Sequence, residues 1–264
     1  MYWIIWPVCL AACLIGSICG LGGGVIIKPA LDLFGSMDVA QVSFLSGCTV
    51  LAMALYSVLR ARAKGTLSAE AKVDTSVAVG AVVGGLAGKQ LFSALSAAFP
   101  YPRIVGCSQA AALFAVCLFT IAYTVVKDRR EIHGRRLSGW LPGCAVGVGL
   151  GAVSAFLGIG GGPLNIVAMT FFFAMASKDA VQASLYIILY SQTAATVMAL
   201  ATQDLSGIDP VLLVGMVAFG IAGAAGGRTI NRRLSNATVD RLFIGLLVAI
   251  MAITVANFLG FAAM

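Results

Sequence analysis

Eight long apolar runs, separated by short polar stretches, make up the chain: Trp3–Phe34, Val39–Leu59, Val73–Ala98, Arg103–Val126, Gly139–Ala176, Ala180–Ala201, Val211–Gly227 and Leu242–Phe261. None alternates with a period of two, and most are long enough to cross a bilayer as a helix, which takes about 20 residues. The pattern predicts an all-α, polytopic membrane protein. Two runs are interrupted. Gly20-Leu21-Gly22-Gly23-Gly24 breaks the first, and Gly158-Ile159-Gly160-Gly161-Gly162, followed by Pro163, breaks the fifth. An unpaired backbone group in lipid costs several kcal/mol, so a glycine cluster at that depth needs protein or water around it.

The interruptions belong to a larger repetition. The second glycine motif is displaced by 138 positions from the first, and Gly85-Leu86-Ala87-Gly88 is displaced by the same amount from Gly223-Ala224-Ala225-Gly226. Asp38-Val39-Ala40-Gln41-Val42-Ser43 recurs as Asp179-Ala180-Val181-Gln182-Ala183-Ser184. Ordered matches of this kind predict an internal duplication. The expected organisation is a first repeat over 1–127, a basic linker over 128–138 and a second repeat over 139–264.

Composition agrees with the pattern: 60% of the residues are hydrophobic and 10% charged, against about 25% charged in a soluble domain. The net charge of +7 would suggest nucleic acid in a soluble chain, but here the cations sit in loops. If 60–72, 127–136 and 228–241 all face the cytoplasm, Lys178 does too, and 14 of the 17 basic residues lie inside, as the positive-inside rule requires. On that assignment the segment 139–176 begins and ends inside, while 3–34 begins and ends outside. The repeats are then inverted, each with five segments counting a glycine-broken hairpin as two, and both termini lie outside. The second arms, Val25–Phe34 and Pro163–Ala176, are too short to span, so both glycine tips are expected within the membrane. Met1-Tyr2-Trp3-Ile4 has no basic flank, and no cleaved signal peptide is expected.

The chemistry available is that of a ligand site. A helix N-terminus presents unpaired N–H groups and partial positive charge, and glycine lets a ligand approach the backbone. The tips therefore nominate Gly22, Gly23, Gly24, Gly160, Gly161 and Gly162 as anion-binding residues; close helix packing is the plainer explanation of the same glycines. No phosphate loop is expected, because the Gly-Lys-Ser/Thr ending is missing. Lys28 and Asp32 stand one helical turn apart and can pair, and an ionisable residue at membrane depth is a functional candidate. Asn165 lies two residues into the second short arm. Gln41 and Gln182 are either capping-box residues or ligand donors. Ser46, Tyr190 and Gln192 are further polar groups inside apolar runs. The seven cysteines show no metal spacing and read as small buried hydrophobes, or alternatively as a thiol relay for a sulfur compound. No metal or cofactor is expected. The single His133 lies in the basic linker, and no enzymatic acid–base cluster is apparent.

Gly-x-Gly-Gly-Gly before a short apolar helix, present in both halves and followed by Pro29 in the first, resembles the TauE/SafE sulfite-exporter family of membrane transporters over nearly the whole chain. Lys28 departs from the family pattern, which is apolar at that position. The resemblance implies a secondary transporter for a small sulfur-containing anion such as sulfite, sulfoacetate or another organosulfonate, in a bacterial plasma (inner) membrane. The alternatives are a thiosulfate-type permease that uses cysteine thiols and a membrane assembly factor that transports nothing. The expected partners are the anionic substrate and the lipid bilayer, with no nucleic acid; a homodimer is compatible with this architecture.

Overall fold

A computed structural model describes residues 2–32, 39–65, 71–98, 102–130, 137, 139–157, 161–202 and 207–263. These form ten α-helices: α1 (Tyr2–Cys19), α2 (Gly24–Asp32), α3 (Val39–Ala63), α4 (Ala71–Ala98), α5 (Pro102–Arg130), α6 (Trp140–Leu157), α7 (Gly162–Phe172), α8 (Ser177–Thr202), α9 (Pro210–Arg233) and α10 (Asn236–Ala263). Stretches of α1, α3, α5, α8, α9 and α10 are long and apolar enough to cross a membrane. The chain is an all-α polytopic membrane protein. Helices are what such runs must form in lipid, because every backbone N–H and C=O is then satisfied within the segment. The outer faces carry large exposed apolar side chains, among them Trp3 at 85% exposed, Val214 and Phe119. Such a surface suits lipid.

The helix ends are set by local chemistry. Asp209 caps α9: its carboxylate accepts from the backbone N–H of Val211 at 2.8 Å, and Pro210 at the first helical position sacrifices an N–H that would have no helical partner. Arg232 and Arg233 in the last turn of α9, like Arg60 and Arg62 in that of α3, oppose the negative end of the helix dipole. Cys19 ends α1, and Gly20, Gly22 and Gly23 follow with φ of 71°, 76° and 65°. That backbone is strained for any residue with a Cβ, and it turns the chain into α2. Gly161 caps α7 with φ 91°. With nine and eleven residues, α2 and α7 rise only roughly 13 and 16 Å, far short of a bilayer.

Glycine stripes draw two pairs of helices into backbone contact. Gly80, Gly84 and Gly88 of α4 face the carbonyls of Cys144, Val148 and Ala152 in α6, while Gly143, Gly147 and Gly151 of α6 face Ser76, Val77 and Ala81. The numbers rise together, so α4 and α6 run parallel. In the same way Gly215, Gly223 and Gly227 of α9 lie against Trp6, Leu10 and Leu14 of α1. Small residues at helix crossings are how membrane helices associate when hydrophobicity cannot drive them together.

Polar links tie the two ends of the bundle. At one end Tyr2 donates to the Asp209 carboxylate, and Gln41 stands beside Gly207. At the other, Lys127 donates to Ser177 Oγ at 3.3 Å, and Ser177 donates to Asp240 at 2.9 Å; this joins α5, α8 and α10. There too the Arg228 guanidinium donates to the carbonyl of Ser57.

Candidate functional site

The two glycine motifs, some 140 residues apart in sequence, meet. A Cβ on Gly162 would lie 2.5 Å from the carbonyl oxygen of Leu21 and 2.7 Å from its Cα. A side chain fits at that position only if one of the two backbones shifts. Around the first motif, Gly20 abuts Val181 of α8, Gly22 abuts Val50 and Ile188, and Gly24 abuts Val50 and the hydroxyl of Ser46. Ser184 of α8 donates to the carbonyl of Gly20 at 2.6 Å and holds the motif to that helix. Val181, Ser184 and Ile188 are spaced three and four apart, and so form one face of α8.

Around the second motif the side chains are polar. Gly161 lies beside both atoms of the Asn165 amide head, at 3.0 and 3.1 Å from its Cβ position, and beside Ser154 Oγ at 3.1 Å. Asn165 is 2% exposed and Ser154 6%, and among the described residues Ser154 Oγ has no hydrogen-bond partner. A buried hydroxyl left without a partner costs about 1–3 kcal/mol, which a ligand acceptor or donor would recover. Pro163 has no N–H, so the first-turn amides of α7 that can face a ligand are those of Gly162 and Leu164. At α2 the amides of Gly24, Ile26 and Ile27 are already bonded to the carbonyls of Gly22 and Gly23. Among the described residues, the start of α7 also has the Ser154 hydroxyl and the Asn165 amide beside it.

The nominated residues divide by position. Gly22, Gly23, Gly24, Ser46, Gly161, Gly162 and Asn165 all lie at or beside this meeting point. Lys28 is half-buried one turn into α2, and the side chain of its proposed partner Asp32 lies outside the described residues, as does Gly160. Gln192 of α8 reaches Gly47 of α3, with Oε1 3.5 Å from that glycine's Cβ position, one residue from Ser46. Gln182 has a buried carbonyl oxygen without a hydrogen-bond partner among the described residues. By helical spacing it shares a face with Tyr186, whose hydroxyl is 3.4 Å from Thr75 and 3.1 Å from Tyr190. Tyr190 is exposed on that face, beside the apolar side chains Leu55, Leu189 and Val197. Gln41 stands at the far end of α3, by Gly207. The Asp38 half of its capping box, residues 131–136 and 138 of the basic linker expected over 128–138, with His133, and the loop from 203 to 206 lie outside the described residues; 128–130 belong to α5.

Ser154 and Ser184 were not nominated from sequence. Ser184 closes the duplicated Asp-x-x-Gln-x-Ser motif, which was the signal for it. Ser154 is four residues before the second glycine cluster, and nothing in sequence separates it from any helical serine. All seven cysteines are free thiols. Two of them adjoin the first glycine motif: Cys13, its Sγ 3.2 Å from the Cβ position of Gly23, and Cys19, which directly precedes Gly20. Among the described residues no group of His, Cys, Asp and Glu side chains is arranged to hold a metal ion.

A family model described as Sulfite exporter TauE/SafE matches residues 5–254. No curated protein and no solved structure matches the chain.

Proposed function

The chain belongs to the TauE/SafE sulfite exporter family of membrane transporters, and from that membership we propose that it carries a small sulfur-containing anion such as sulfite, sulfoacetate or a related organosulfonate. The observation that carries the reading is the contact between the Gly162 and Leu21 backbones beside the unpartnered hydroxyl of Ser154. Two glycine turns touching inside a membrane bundle, next to a buried donor with nothing to bond, are suited to a compact oxyanion. In this reading Gly161, Gly162, Ser154 and Asn165 hold the anion at the start of α7. Gly22, Gly23, Gly24 and Ser46 wall it from the other side, and Gln192 and Lys28 add a neutral and a charged group at its margin.

The same reading takes the fold as an inverted repeat, 1–127 and 139–264, with α1–α2 and α6–α7 as two hairpins entering from opposite faces. Helix pairing supports it. Exchanging α1–α5 with α6–α10 turns the α4–α6 pair into α9–α1, α3–α9 into α8–α4, and α2–α3 into α7–α8, and all of these pairs are in contact. The N–H of Leu137 donates to the carbonyl of Phe172 at 2.9 Å, tying the start of the α6 region to the end of α7 as the base of a hairpin would. Alternating access then consists of one repeat rocking against the other about the fixed site. The basic ends of α3 and α9 face the cytoplasm of a bacterial inner membrane, and both termini face outward.

One observation favours a second reading, a thiosulfate-type permease that passes its substrate along thiols: the Cys13 sulfur lies against Gly23. The test of the first is a thermal-shift screen of the purified protein against sulfite, thiosulfate, sulfoacetate, taurine, phosphate and small carboxylates. Sulfite or an organosulfonate should raise the melting temperature of wild type, and do so far less for Ser154→Ala/Asn165→Ala. Stabilisation by carboxylates alone would assign the site to another substrate class.

A further inference from the structure

At the end of the bundle opposite Tyr2 and Asp209, the last turns of α3 and α9 enclose a cavity of about 860 Å³, counting the part open to solvent, lined by Arg60, Lys64, Ala225, Arg228, Thr229, Arg232 and Arg233. Five of these seven are cations, and none of the described lining residues is acidic. Like charges repel, so an arrangement of this kind needs either full solvation or an anion. Full solvation is denied to one member: Arg228 is half-buried, with its guanidinium turned to the Ser57 carbonyl. The repulsion registers on Lys64, whose ammonium is held below its ordinary pKa, first by Arg60 and then by Arg232. Arg60 also leans over the ring of Tyr56, 6.0 Å from its centre, which fixes its direction.

The depth of the cavity points to the ligand. Lys64 directly follows the apolar stretch Gln41–Ala63, and Arg233 ends the stretch Pro210–Arg233. The cations therefore stand where hydrocarbon gives way to headgroups, and basic pockets between helices at that level suit acidic lipid headgroups. Arginine forks match phosphate oxygens two at a time, which a simple solvated face does not require. We propose that the cavity between the ends of α3 and α9 binds the phosphate headgroup of an anionic lipid. Bound there, the lipid would bridge α3 and α9 and neutralise the repulsion between their ends. The proposal rests on the membrane character of the chain, not on which anion it transports.

Native mass spectrometry of the full chain, purified in neutral detergent, tests it. Phosphatidylglycerol, phosphatidylcholine and inorganic phosphate are titrated separately against wild type, Arg232→Gln, Arg60→Gln/Arg232→Gln and Lys178→Gln. Wild type should retain phosphatidylglycerol over phosphatidylcholine. Retention should fall about fivefold per arginine removed and stay unchanged in Lys178→Gln, whose cation lies outside the cavity. Arg232 is exposed, so the single variant keeps the comparison open if the double variant folds poorly. Equal retention by wild type and Arg232→Gln, or an equal loss in Lys178→Gln, would overturn the site. Binding of inorganic phosphate without retention of phosphatidylglycerol would overturn the lipid assignment.

Discussion

Gly162→Ala adds one methyl group at the contact between the two glycine motifs. Its Cβ would stand 2.5 Å from the Leu21 carbonyl oxygen, 2.7 Å from the Leu21 Cα and 2.9 Å from its carbonyl carbon. All three are backbone atoms, so no rotamer change can relieve the clash. A carbon rests no closer than about 3.3 Å to a carbonyl oxygen, and the first turn must retreat by roughly 1 Å. Overpacking of this kind costs about 1–3 kcal/mol. Alanine in place of a helical glycine returns up to about 1 kcal/mol, leaving a net loss of roughly 0–2 kcal/mol. A protein with about 5–15 kcal/mol of stability stays folded under that loss. Transport should suffer more than stability, because a displacement of about 1 Å at a ligand site costs tenfold or more. Gly149→Ala is the control, a helical glycine whose added Cβ meets nothing within 4 Å. In reconstituted vesicles Gly162→Ala should therefore lose at least about tenfold in transport rate while its melting temperature falls only modestly, and Gly149→Ala should match wild type in both. Normal transport by Gly162→Ala would show that the contact between the motifs is packing alone.

Further outcomes follow from topology, thiols and charge. In a cysteine-free background, single cysteines placed between 203 and 209 or at the C-terminus should react with impermeant thiol reagents from outside, and those in 60–72 and 127–136 should not; labelling of the C-terminus only from the cytoplasm would refute the inverted halves. The cysteine-free protein itself should transport normally, whereas a thiol relay through Cys13 predicts loss. The Asp209 carboxyl is held below the ordinary carboxylate pKa by the Tyr2 hydroxyl first and then by the Val211 N–H. A depressed carboxyl pKa stabilises the fold above the unfolded value, and that contribution disappears as pH falls through the folded one. Thermal unfolding of Asp209→Asn should accordingly depend less on pH in the acid range than that of wild type.

Much of the architecture was legible because lipid leaves the backbone few choices. Each apolar run became helix, and the two glycine clusters mark where α1 gives way to α2 and where α7 begins, because a positive φ at Gly20, Gly22, Gly23 and Gly161 has no good substitute among other residues. The short helices after the clusters were visible as well, though α7 ends at Phe172, before Ala176, and Phe34 lies outside the described residues. What sequence could not supply is which groups meet across long separations. Gln41 and Gln182 look equivalent in the duplicated motif, yet one stands by Gly207 at the bundle's end and the other shares a face with Tyr186. Ser154 carries no local mark; Ser57 is also buried with an unpartnered hydroxyl, and it is the position beside Gly161 that sets Ser154 apart. The basic ends of α3 and α9 read as loop charges in sequence. Their convergence on one cavity depends on how those helices cross.

Passage of a small sulfur-containing anion through the proposed site where the two glycine motifs meet is tested most directly by flux of radiolabelled sulfite across proteoliposomes containing the purified chain, with sulfoacetate and a simple carboxylate as competing solutes. Sulfite or organosulfonate flux should be protein-dependent and saturable, largely removed by Gly162→Ala and not inhibited by the carboxylate. Flux equal to that of empty liposomes for every sulfur anion, from protein that remains folded, would contradict it.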